Sequence, residues 1–431
     1  MLKTLVWICL CALVISCGTE KVNEGVDVVK VRYWAFGGTP KLMAHQRERV
    51  DQFNRSHDRI IIELSQKSWE QKRELIHANF SAGTGPDVVH VHASYAAEFG
   101  DIGYFYPINT FADFDSVRQW YLPNLLQSTR YGDDYFGLPC NAIAFVLVCN
   151  GELFDELGLA PPKTWSEFRA AAKALTRDRN GDGSIDQYGL SLMGADRGGF
   201  EYRMAPFILK AGGRFLSPDC KTVLFEEEQH VAALQLFADM YQLDRSIAPG
   251  FLGYAMTDVI DQIAGNKAAM SIEGPWYPTV LEERGLNKKL YIVPVPVPDH
   301  LLSEMEQAAT LQDLCMLAIN RESRHPAAAW EFIKYMRNPE ADEAWVTDNM
   351  GPIPVTYHAM NFGGEVKVPN FSLFKHELAN AVPWPHHPQM IAIINNVIAP
   401  WSEKAIVGEV SVKHALAQMA QEARSIIASA P

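Results

Sequence analysis

The chain has 431 residues, of which 48% are hydrophobic and 21% are charged. This balance is typical of a soluble globular protein that is long enough for two domains. The formal net charge is -13 at pH 7, and Lys and Arg form no cluster along the sequence, so the composition argues against a nucleic-acid partner.

The first residues have the pattern of a short export signal. Lys3 precedes the apolar segment "TLVWICLCALVIS", which is too short for an ordinary membrane span, and the segment ends in "VISC" with Cys17 last. This arrangement resembles a bacterial lipoprotein signal peptide with its lipobox. We therefore expect a signal peptide over residues 1–16, lipidation of Cys17 and a polar tether over residues 17–27. A plain secretory peptide is the alternative.

Four cysteines lie beyond the predicted tether, at Cys140, Cys149, Cys220 and Cys315. They are scattered without the spacing of metal ligands. Cys140 and Cys149 flank an extended apolar run, which would hold them too far apart for a disulfide. The sequence therefore predicts buried free thiols.

The first third of the chain alternates predicted strands and helices. "VVKVRYWAF", "IIIELSQ" and "PDVVHVH" have the pattern of strands, and "KLMAHQRERVDQFNRSH" and "SWEQKRELIHANFSAG" have the pattern of helices. This alternation indicates parallel βαβ units. Ligands bind at the carboxyl ends of the strands in such sheets, where this sequence places Trp34, Trp69, Ser94 and Tyr95.

The next segment predicts a connection between domains and then a helical region. "AIAFVLVCN" is a long apolar strand that could cross from one domain to the other. Thr164 and Glu167 form the pattern of a capping box at a helix start. "YIVPVPVP", residues 291–298, contains too many prolines for a central strand and suits an edge strand or a linker.

The stretch "AAMSIEGPWYP", residues 268–278, begins as a buried strand and ends with Gly274, Pro275 and Trp276. Gly and Pro end regular structure. An aromatic side chain held on such a turn either fills a core or binds a ligand, and the pattern alone leaves both alternatives open.

Four stretches, in this order, carry a resemblance to a known family: "FSAGTGPDVVHVHASYAAEFGDIGYFYPI", "YGDDYFGLPCNAIAFVLVCNGELFDELGLAPPKTWSEF", "IAGNKAAMSIEGPW" and "NMGPIPV". They resemble extracellular solute-binding proteins of ABC importers, family 1, which includes maltose-binding protein. The resemblance implies an α/β fold of type II, like that of periplasmic binding proteins, with two lobes, a hinge and a ligand cleft between the lobes.

The resemblance also implies domain bounds and partners. The N-terminal lobe is expected over residues 28–140 plus 291–338, and the C-terminal lobe over residues 141–290 plus 339–431. The protein would be an exported, lipid-anchored monomer without a cofactor. It would bind a sugar or oligosaccharide and deliver this ligand to a membrane permease through hinge closure.

Candidate ligand-binding residues are side chains that could stack on a pyranose or bind its hydroxyl groups. By the resemblance, Trp276 is the aromatic residue that stacks on the ligand. The full set is Trp276, Trp34, Tyr95, Ser94, Asn141, Trp384, Trp69 and Glu201. Arg203 would be the cation for a phosphate-bearing ligand, although the sequence does not place it.

Two motifs suggest metal binding, although only weakly. His90 and His92 in "HVH" face the same side of a strand, but a metal site needs further ligands. "DRNGDGSID" resembles the start of an EF-hand loop at Asp178, Asn180, Asp182 and Asp186, but Gly189 replaces the bidentate Glu. We expect Asx turns in this loop, with weak calcium binding as the alternative.

A secreted carbohydrate-active hydrolase is the rival interpretation, because it too would have an aromatic cleft. A glycosidase needs two carboxyl groups at a fixed separation. The sequence does not identify such a pair, so a binding protein without catalytic activity is the preferred interpretation.

Overall fold

The computed structural model describes residues 28–37, 40–67 and 72–429. The predicted signal peptide, the tether with Cys17, and Trp69 lie outside the described residues. None of the helices in the described ranges has the length and apolar composition that crossing a membrane requires.

The strands of the described residues are, in chain order, β1 (Val29–Phe36), β2 (Ile60–Lys67), β3 (Val88–His92), β4 (Arg130–Tyr131), β5 (Asp134–Tyr135), β6 (Leu138–Ala144), β7 (Val146–Asn150), β8 (Tyr188–Leu190), β9 (Ala268–Glu273), β10 (Leu290–Pro294), β11 (Thr310–Ile319) and β12 (Ala381–Val382).

The α-helices of the described residues are α1 (Pro40–Ser56), α2 (Lys72–Ser81), α3 (Tyr95–Asp101), α4 (Phe114–Val117), α5 (Pro123–Gln127), α6 (Gly151–Glu156), α7 (Trp165–Ala174), α8 (Arg197–Lys210), α9 (Glu228–Gln242), α10 (Met256–Ala264), α11 (Tyr277–Glu283), α12 (Pro326–Arg337), α13 (Pro339–Thr347), α14 (Tyr357–Met360), α15 (Phe371–Ala379), α16 (Met390–Ile393), α17 (Ala399–Val407) and α18 (Val412–Ser429). A π-helical turn, Ile394–Ile398, joins α16 to α17.

The first sheet has the order β12-β11-β3-β1-β2, and β6 also pairs with β11. β1 pairs in parallel with β2 and β3, as the alternating pattern predicts, and β11 returns antiparallel to β3 and β6. The second sheet has the order β10-β7-β9-β8, in which β7 is antiparallel to both of its neighbours. We call the elements around these two sheets the first lobe and the second lobe.

The predicted crossing strand is confirmed as a crossing, but it is two strands. β6 lies in the first sheet and β7 lies in the second sheet, and Phe145 alone separates them. Every residue from Leu138 to Asn150 is buried, because the run passes from one hydrophobic interior directly into the other.

Two strands correct the predicted domain bounds. All of β10 except its first residue, Leu290, lies within the segment assigned to the N-terminal lobe, yet the strand forms an antiparallel ladder with β7 in the second sheet. β12 lies within the segment assigned to the C-terminal lobe, yet it pairs with β11 in the first sheet. Strand pairing determines which lobe contains β10 and β12. Pairing between segments that are far apart in the chain cannot be predicted from a single sequence. β10 is an edge strand, as its prolines predicted.

Local signals were reliable in two places. The capping box is present, since the Glu167 backbone N–H donates to Thr164 Oγ1 at 3.3 Å and the Thr164 N–H donates to the Glu167 carboxylate at 3.3 Å. Cys140, Cys149, Cys220 and Cys315 are free, as predicted, and three of them are buried.

Candidate functional site

Trp276 follows β9 at the turn that begins α11. Its half-buried ring meets the ring of Phe145 edge-on, with centroids 5.8 Å apart. A Cβ atom on Gly274 would lie 1.9 Å from the Trp276 ring, and one on Gly351 would lie 3.2 Å from the Trp276 Cα. Only glycine leaves room for Trp276 at these two positions. This explains why Gly274 follows the apolar residues of β9 in the sequence.

Tyr202 of α8 lies at the centre of the aromatic cluster, and sequence reasoning missed it. The centroid of its ring lies 6.0 Å from the centroid of the Phe145 ring and 5.9 Å from the centroid of the His92 ring. The Tyr202 hydroxyl is 3.4 Å from Ser94 Oγ. Because Ser94 and His92 belong to the first lobe, Tyr202 is one of the residues through which the second lobe contacts the first.

Ser94 and Trp384, two of the candidate ligand-binding residues, also lie at this junction. Trp384 meets Tyr202 edge-on at 5.6 Å, and its ring is 4.7 Å from that of Phe215. Its indole nitrogen is buried and has no hydrogen-bond partner among the described residues. A small cavity of about 10 Å³ between Ser94, Tyr202, Asp313 and Trp384 marks where the two lobes close on each other.

Three other predicted residues have different surroundings. Tyr95 is buried in the first turn of α3 against Phe99, and burial raises its pKa. Trp34 is half-buried on β1, with Lys67 Nζ 5.1 Å from its ring centroid. Asn141 is buried in β6, and its Oδ1 atom has no partner within the described part of the chain.

Glu201 lies away from the cluster, although it is next to Tyr202 in sequence. Adjacent residues of a helix point in different directions, and Glu201 lines a cavity of about 20 Å³ inside the second lobe with His230 and Ser402. Glu201 is 1% exposed. Its prediction as a ligand-binding residue is not retained.

Two pairs of charged side chains lie near the junction of the lobes. Arg203 Nη2 donates to Glu273 Oε2 at 2.8 Å, and His92 Nδ1 lies 2.8 Å from Asp313 Oδ1. Burial raises the pKa of Glu273, an effect that Arg203 opposes. Burial also lowers the pKa of Lys72, which Asp196 and Asp313 oppose.

Neither metal motif forms a cluster of ligands. Asp178 accepts hydrogen bonds from the N–H groups of Gly181 and Gly183, at 2.7 and 2.8 Å, so its carboxylate closes the loop. His90 Nδ1 is 3.3 Å from the Phe36 carbonyl oxygen. Within residues 28–37, 40–67 and 72–429, no three His, Cys, Asp or Glu side chains come together as a metal site.

The side chains at this junction combine aromatic rings with hydrogen-bonding groups, which suits an uncharged polar molecule with an apolar face. Phe145 and Tyr202 are buried and Trp276 is half-buried, and the Arg203–Glu273 ion pair lies beside them. Phe145 and Asp313 were missed because both lie inside buried apolar runs. For Phe145, its position where the predicted strand would cross between domains was a usable signal.

Comparison with known proteins agrees with this architecture. Residues 40–343 match the sequence profile of the bacterial extracellular solute-binding proteins. An uncharacterized lipoprotein of Streptomyces antibioticus is 24% identical over 326 residues, 72% of this chain and 67% of the relative. The multiple sugar-binding protein of Streptococcus mutans is 21% identical over 356 residues, 80% of this chain and 79% of that protein.

A solved structure of similar fold is the ABC-transporter solute-binding protein of Thermotoga lettingae bound with α-D-tagatose. It is 22% identical, with a TM-score of 0.79, and the match covers 93% of this chain and all of that chain. The predicted two-lobed fold is thereby confirmed. The profile match spans well over half of the sequence, and the chain belongs to the family of bacterial extracellular solute-binding proteins.

Proposed function

We propose that this protein is the solute-binding component of an ABC importer and that it binds a sugar or oligosaccharide between its lobes. The observation that carries the proposal is the aromatic cluster of Trp276, Phe145 and Tyr202 at the junction of the lobes. Aromatic rings flanked by hydrogen-bonding groups suit the apolar face and hydroxyl rim of a pyranose. The sugars bound by the relatives support this ligand class.

Transport follows from hinge closure in this proposal. The ligand stabilises the closed form only by the difference between its affinities for the closed and open forms. The closed lobes then present their joint surface to the permease. Lipidation of Cys17 and the tether would keep the exported protein at the membrane, and a lipoprotein among the relatives supports this part.

The test is a thermal-shift screen of the mature protein against neutral mono- and oligosaccharides, followed by titration of the hits. A ligand at 100 times its dissociation constant should stabilise the folded state by about 2.7 kcal/mol. Trp276→Ala should weaken binding, whereas Trp401→Ala, a change at a half-buried Trp on α17, is the matched control. If Trp276→Ala keeps the sugar affinity of the parent protein, Trp276 is a core residue and does not contact the ligand.

The sugars that bind in this screen also distinguish a binding protein from the alternative, a carbohydrate-active hydrolase. After prolonged incubation of a bound oligosaccharide with the protein, chromatography should recover it unchanged. Release of shorter sugars would replace the binding proposal with catalysis.

A further inference from the structure

Arg203 and Glu273 form a buried ion pair beside the aromatic cluster of Phe145 and Trp276. Arg203 belongs to α8 and Glu273 is the last residue of β9, directly before the turn to Trp276. Their side chains are 5% and 0% exposed, and the Nη2–Oε2 distance is 2.8 Å. Arg203 Nη1 also donates to the Gly199 carbonyl oxygen at 2.9 Å.

This ion pair leaves one donor and one acceptor unused. Arg203 Nε and Glu273 Oε1 are buried and have no hydrogen-bond partner among the described residues, and the same is true of Trp276 Nε1. The Arg203 guanidinium carbon lies 5.8 Å from the centroid of the Phe145 ring, which contacts Trp276. Buried polar atoms without partners are costly, so such atoms beside the candidate ligand-binding residue Trp276 point to polar atoms supplied by a ligand.

The unused atoms distinguish ligands by charge. A hydroxyl group both donates and accepts, so neighbouring hydroxyls can serve Arg203 Nε and Glu273 Oε1 together. An anionic group would serve only Arg203 and would be repelled by the Glu273 carboxylate. If the protein binds a sugar as proposed above, its selectivity follows from this pair. We propose that Arg203 and Glu273 bind hydroxyl groups of an uncharged sugar and that the site rejects phosphorylated and carboxylated sugars.

The other charges of the cleft strengthen this selectivity. His92 is paired with Asp313, and Lys72 lies within the electrostatic influence of Asp313 and Asp196. An anionic ligand would therefore have to compete with a carboxylate for each of these basic groups. Arg203, the candidate cation for a phosphate ligand, is already neutralised by Glu273.

The experiment measures affinity by calorimetry for matched pairs of sugars: glucose with glucose 6-phosphate, galactose with galacturonate, and each neutral oligosaccharide hit with its terminal carboxylate derivative. We expect each bound neutral sugar to bind at least about tenfold more tightly than its anionic partner. Equal or tighter binding of the anionic partner overturns the inference and leaves the proposed function standing. Absence of binding by every sugar overturns the proposed function, and the inference falls with it.

Variants test the two residues directly. Glu273→Gln should weaken neutral-sugar binding roughly 10- to 100-fold and should narrow the gap to the anionic partner, because Arg203 loses its counter-charge. The double variant Arg203→Met/Glu273→Met removes the pair without leaving a buried charge, so it should fold and lose neutral-sugar affinity to a similar extent. Circular dichroism checks the fold of each.

The matched control is the more exposed pair Arg177 and Glu156 of the same lobe, whose nitrogen and oxygen are 2.7 Å apart. Arg177→Met/Glu156→Met should leave sugar affinity unchanged. A folded Arg203→Met/Glu273→Met variant that keeps the parent affinity would overturn the assignment of the pair to the ligand.

Discussion

Glu201 carries a proton at neutral pH because it is buried in the second lobe. Burial raises its pKa from the ordinary value of 4.5 to about 8, although a hydrogen bond from Ser402 opposes the shift. His230, which lines the same cavity, is neutral there because burial lowers its pKa to about 4. Between pH 4.5 and 8 Glu201 therefore holds a proton in the folded protein that it has released in the unfolded chain, and the contribution of Glu201 to stability falls as the pH rises through this window.

Glu201→Gln should remove this pH dependence, because an amide has a similar shape and does not ionise. The variant should gain stability relative to the parent by about 1.4 kcal/mol per pH unit between pH 5 and pH 8. Urea unfolding at several pH values measures the difference. Glu228→Gln, a change at an exposed residue of α9, is the control and should follow the slope of the parent. A constant difference between Glu201→Gln and the parent would contradict the assignment.

At the scale of elements, the turn between β9 and α11 is defined by contact between Gly274 and the Trp276 ring. Gly274→Ala would place a Cβ atom 1.9 Å from a ring carbon, so the ring must move. Overpacking of this kind costs about 1–3 kcal/mol. We expect that loss in urea unfolding, together with weaker sugar binding, because the displaced ring no longer faces Phe145.

The control for this turn is Gly253→Ala, since a Cβ atom on Gly253 meets nothing within 4 Å. It should change neither stability nor affinity appreciably. If Gly274→Ala lowers stability but leaves affinity intact, the Trp276 ring belongs to the core and not to the ligand site.

The elements also show what the sequence could and could not predict. The Thr164 capping box and the parallel β1, β2 and β3 depend on patterns within a few residues, and both were predicted correctly. The division of one apolar run at Phe145 has no Gly or Pro to mark it. Tyr202 reaches the cleft only because α8 packs beside β11 and faces Ser94, a contact 108 residues away along the chain. Long-range packing of this kind leaves no local pattern.

At the scale of the whole molecule, a buried ion pair joins the two lobes. Lys210 ends α8 of the second lobe, and Glu377 belongs to α15, which leads into β12 of the first sheet. Their Nζ and Oε2 atoms are 2.8 Å apart, and the side chains are only 1% and 2% exposed. Lys210 Nζ also donates to the Ala308 carbonyl oxygen in the segment that returns to the first sheet. The pair therefore links the lobes without solvent screening.

Lys210→Met should lower the free energy of unfolding by about 3–5 kcal/mol, because it leaves the Glu377 carboxylate buried without its partner. Adding Glu377→Met should restore much of this loss, since the double variant buries no charge. Chemical unfolding followed by circular dichroism gives the three values. Lys289→Met is the comparison, because its pair with Asp155 is half exposed and solvent-exposed pairs contribute little to stability. Equal losses in Lys210→Met and Lys289→Met would show that the junction of the lobes does not depend on this pair.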